Sequence, residues 1–76
     1  MTTYKVTATI QKVPNYRLQA AALRQQSAGL GWFRSSGRKN PAVITFTCNY
    51  NDIATWFIAR LRHRFPYAQV ELRMIK

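Results

Sequence analysis

The sequence predicts an α+β domain whose elements follow the order β-α-β-β-α-β, with a four-stranded antiparallel sheet carrying two helices on one face. Three observations predict it. Residues 3–12 and 68–75 alternate apolar and polar side chains, the period of a half-buried strand. Residues 16–28 and 51–65 have helical spacing between helix-starting and helix-stopping residues. Residues 31–34 and 42–48 read as two strands flanking a turn-rich stretch.

In the first strand, Tyr4, Val6, Ala8 and Ile10 share one face and Lys5, Thr7 and Thr9 the other, until Pro14 ends the run. Asn15 reads as the N-cap of the first helix and Gly29 as its stop. The apolar stripe is thin and rich in Ala. Leu18, Ala22 and Leu23 are its expected buried side, opposite Arg17 and Arg24.

The two middle strands enclose the loop Ser35, Ser36, Gly37, Arg38, Lys39, Asn40, Pro41. Parity sends Trp32 and Arg34 to one side of their strand and Phe33 to the other, and the core is the default place for a tryptophan. In the next strand Ile44, Phe46 and Cys48 share a face.

Asn51 and Asp52 open the second helix, with the acid where the helix dipole favours it, and Pro66 stops it after Phe65. At 100° per residue, Ile53, Ala54, Phe57, Ile58, Leu61 and Phe65 fill an arc of roughly 140°, a core stripe. Trp56 falls outside it, one turn from Arg60. In the last strand Ala68, Val70, Leu72 and Met74 are expected to face inward, and Gln69, Glu71 and Arg73 outward.

This order of elements resembles the ferredoxin-like, split β-α-β arrangement along the whole chain. The resemblance implies two helices on one sheet face and leaves the other face open, with Lys5, Thr7, Thr9, Thr45, Thr47, Glu71 and Arg73 on it. The central strands put no paired aromatics on that face. Topology of this kind gives no function by itself.

The chain has 76 residues, which is one domain, 1–76. Cys48 is the one cysteine, so no internal disulfide forms, and a reducing compartment is expected. The N-terminus alternates instead of carrying an apolar signal core, and no apolar run is long enough to span a bilayer. A cytoplasmic protein with no membrane partner is the expectation.

Charge is the most informative property. Twelve Lys and Arg stand against two acids, Asp52 and Glu71, for a net charge of +10. Such an excess repels itself, and a polyanion relieves it. Most of the cations are Arg, whose planar fork grips phosphate bidentately and stacks on bases. The expected function is therefore nucleic-acid binding, DNA or RNA, mainly through phosphate contacts. One expected cluster is Arg60, Arg62, His63 and Arg64 on the second helix. The other is Arg34, Arg38 and Lys39 on the hairpin. Trp56 and Trp32 are candidate stacking or anchoring groups, against the plainer reading of Trp56 as a core-edge residue under Arg60.

The rival expectation is a small regulator that docks on an acidic protein surface of a nucleic-acid-processing complex, with a tryptophan as its anchor. Catalysis is disfavoured, because one His, one Cys, one Asp and one Glu give little acid–base inventory and no metal-ligand spacing. A small nuclease built on His63 with Arg60 or Arg64 is the enzymatic alternative; no cofactor is implied. An edge strand at Trp32–Arg34 would be able to pair with a second copy, giving a homodimer.

Overall fold

A computed structural model describes residues 2–11, 13–36 and 40–75. Six elements follow in the expected order: β1 (Thr3–Ile10), α1 (Tyr16–Gln26), β2 (Trp32–Ser36), β3 (Ala42–Cys48), α2 (Asn51–Arg64) and β4 (Gln69–Ile75). The strands form one antiparallel sheet in the order β2-β3-β1-β4, so β2 and β4 are the edges. This is the ferredoxin-like arrangement.

The core lies between the helices and the inner sheet face. Val6, Ala8 and Ile10 of β1 and Ala42, Ile44, Phe46 and Cys48 of β3 are buried, as their alternation dictates. α2 covers these two central strands with Ala54, Phe57 and Leu61. Phe57 stacks flat on Phe46, and Phe33 of β2 meets the Phe57 ring edge-on at 6.1 Å.

α1 departs from its expected orientation. Its buried residues are Tyr16, Ala20 and Leu23, followed by Ser27, while Leu18 is 72% exposed and Ala22 only half-buried. The spacing of four, three and four residues defines one face. Tyr16 decides which face wins. Its ring packs at 5.7 Å from Phe65, and its hydroxyl shares a 2.9 Å hydrogen bond with Ser35 Oγ of β2. Burying this larger ring with its polar tip satisfied outweighs burying Leu18.

The helix ends at Gln26, two residues earlier than expected. Ser27 is buried and donates from Oγ to the Leu23 carbonyl at 3.0 Å. Gly29 then takes φ +82°, the left-handed value that turns the chain toward β2. Asn15 occupies the N-cap position, but its side chain makes no capping hydrogen bond.

β4 is the other departure. Ala68 and Val70 are half-buried, but Leu72 is 42% and Met74 60% exposed. Parity does place them on the helix side. However, α2 packs mainly over β3 and β1, and its cover does not reach the far half of the edge strand.

Candidate nucleic-acid interface

The sheet face opposite the helices is built by register. Trp32 stands across from Thr47, Thr47 across from Lys5, and Lys5 across from Arg73. One row therefore runs across all four strands, spanning about 14 Å between the outer backbones. The next row is Arg34, Thr45, Thr7 and Glu71; the third is Ser36, Val43, Thr9 and Gln69. Among the described residues of these rows there are three cations and one acid. The acid is Glu71, which accepts a 3.0 Å bond from Arg73 Nε, with both side chains exposed.

Trp32 is 68% exposed on this face, which corrects the expectation that it sits in the core. The inward position of β2 belongs to Phe33, and alternation leaves Trp32 no other side. Beside it, Tyr50 is also exposed, and the two aromatics line one shallow depression with Gly29, Leu30, Gly31, Cys48 and Asn49. Within it the buried Cys48 thiol donates to the Tyr50 carbonyl at 3.3 Å. Gly31 permits β2 to approach this closely. A Cβ there would strike the Thr47 carbonyl oxygen and lie 2.7 Å from Phe46 Cζ.

The expected cluster on α2 is divided. Arg60 lies over the Trp56 ring, 5.8 Å from its centroid, and Trp56 itself is half-buried against the core. Arg64 is half-buried and donates from Nη1 to Gln19 Oε1 of α1 at 2.7 Å. Arg60 and Arg64, four residues apart, share the side of α2 that these contacts occupy. Arg62 is about 200° around the helix from either and is exposed, as is His63. The three arginines thus do not form one surface. They do lie toward the C-terminal end of α2, where Arg62, His63 and Arg64 meet the negative end of the helix dipole.

In the hairpin, Arg34 lies exposed on the open sheet face across from Thr45. Arg38 and Lys39 lie outside the described residues. Arg34 shares the open sheet face with Lys5, Arg73 and Trp32, not with the α2 arginines. The open face was readable from strand parity. Tyr50 was not, because it sits between β3 and α2, where no period applies. Among the described residues, no group of three His, Cys, Asp or Glu is placed to hold a metal ion, and no helix is long and apolar enough to cross a membrane.

No family model matches the chain, and no curated protein matches it. Solved structures do. An uncharacterised protein from Thermotoga maritima superposes with a TM-score of 0.73 at 15% identity, over 100% of both chains. A de novo designed protein superposes at 0.58, with 10% identity over 99% of this chain and 96% of that one. The acylphosphatase of Bacillus subtilis superposes at 0.59, with 10% identity over 100% of this chain and 87% of the other. At these identities the likeness is one of fold.

Proposed function

We propose that the chain is a nucleic-acid-binding module of the cytoplasm, not an enzyme, and that it takes single strands on its uncovered sheet face. The observation that carries the reading is Trp32, 68% exposed and in register with Lys5 and Arg73 across the sheet. A large aromatic left open to water on a face that also carries cations suits a base that stacks while its phosphates are neutralised. Tyr50 offers a second ring on the same depression. Arg34 and the threonines of the central strands supply further donors to backbone oxygens. The net charge of +10 draws the polyanion in. Arg60, Arg62 and Arg64 act in this scheme through the general field.

The test is binding of the nuclease-treated protein to labelled single- and double-stranded DNA and RNA of mixed sequence, across a salt series. Tighter binding of single strands with a steep loss in salt is the expected result. Absence of binding near physiological salt overturns the reading. It would leave the same exposed Trp32 as an anchor for an acidic protein surface, the regulator alternative.

A further inference from the structure

The edges of the sheet differ in a way that concerns a second copy of the chain. β2 carries Arg34, Ser35 and Ser36, exposed polar residues that discourage further strand pairing. β4 carries the charged pair Glu71 and Arg73 on its open side but is otherwise unprotected. It runs seven residues without Pro or Gly, and its helix-side positions are Val70, Leu72 and Met74. Leu72 and Met74 are 42% and 60% exposed, and Ile75 on the opposite side is 46% exposed.

The charges of β4 select a partner. In a chain of net charge +10, this strand holds the one ion pair found among the described residues, Glu71 with Arg73. Leu72 is the midpoint of Gln69–Ile75. Antiparallel pairing of two copies about that midpoint sets Leu72 opposite Leu72, Val70 opposite Met74, and Glu71 opposite the partner's Arg73. It uses the strand from end to end. Shifting the two-fold axis to Glu71 places two acids opposite each other, and shifting it to Arg73 places two cations opposite each other; both are disfavoured. An axis between residues would mix the apolar and polar faces.

The geometry points to a homodimer formed by β4 against β4 about Leu72, giving a continuous eight-stranded sheet. Its apolar face buries Val70, Leu72 and Met74 of both copies. Each Glu71 sits between its own Arg73 and that of the partner, and the two open faces become one surface with a Trp32 at either end. This inference does not rest on nucleic-acid binding. Its expected salt response is opposite, since salt screens the repulsion between two strongly cationic protomers.

The test is sedimentation equilibrium of the nuclease-treated protein over a concentration series, with circular dichroism melts as a control for folding. A species of twice the 8.8 kDa protomer mass is expected. Leu72→Lys and Arg73→Glu should each weaken the dimer by roughly tenfold or more, and the double variant Glu71→Arg, Arg73→Glu should recover it, because opposite charges again face each other. A monomer at every concentration up to about 1 mM, where even weak association shows, overturns the proposal. So does a dimer that is indifferent to Leu72→Lys and Arg73→Glu while the melts are unchanged.

Discussion

Phe46 and Phe57 lie ring upon ring, 4.1 Å between centroids and within 4° of parallel, and join the sheet to α2 at the centre of the core. Both are fully buried. No disulfide is available to share the load, since Cys48 is a free, buried cysteine. Phe57→Ala removes this stack and the edge contact with Phe33 at once. The expected cost is about 3–5 kcal/mol, a large part of the stability of a domain this small. Urea denaturation should show the midpoint collapsing, and Phe57→Leu should retain more than half of the lost stability.

The two glycines between α1 and β2 separate conformational strain from steric collision. Gly29 has φ +82° and open space where a Cβ would go. Gly29→Ala should cost about 1 kcal/mol, from backbone alone. Gly31 has no such φ, but a Cβ would run into the Thr47 carbonyl and the Phe46 ring. β2 must then move away from β3, and Gly31→Ala should cost more than Gly29→Ala. Thermal melts of the two variants give the order directly.

Arg62 and Arg64 are two residues apart, yet they should behave differently. Arg64 is half-buried and ties α2 to α1 through Gln19. Arg64→Ala should cost about 1 kcal/mol of stability. Arg62 is exposed. Arg62→Ala should lower the melting temperature only slightly, through the lost contact with the helix dipole, and its effect on nucleic-acid binding should be a small, sequence-independent loss.

How much of this was legible in the sequence depends on how many constraints each element carries. β1 and β3 are central, with one face buried and one open, so alternation alone placed every side chain. α1 was harder, because Leu18 and Tyr16 point to different sides of a short, Ala-rich helix. The winner was set by Phe65 and Ser35, which are 49 and 19 positions away from Tyr16 in the chain. For β4, parity gave the side but not the coverage, which depends on where α2 lies across the sheet. The candidate site follows the same division. Trp32, Lys5, Arg34 and Arg73 come onto one face only through the register of four strands. The cluster suggested by sequence proximity, Arg60, Arg62 and Arg64, is scattered by the 100° turn of the helix.

The two tryptophans provide the sharpest contrast. Trp56 is half-buried with Arg60 above its ring. Trp56→Ala should lower stability by about 2 kcal/mol or more, through lost packing and the lost cation–π contact. Trp32 is 68% exposed on the open sheet face. Trp32→Ala should leave the unfolding free energy within about 0.5 kcal/mol of the parent. If a base stacks there, the same change weakens single-strand binding by about 1–3 kcal/mol, roughly fivefold to more than a hundredfold. The salt slope should stay the same, because no phosphate contact is removed. A change in affinity without a change in slope or stability identifies Trp32 as a stacking platform. An unchanged affinity would move the binding surface off the sheet.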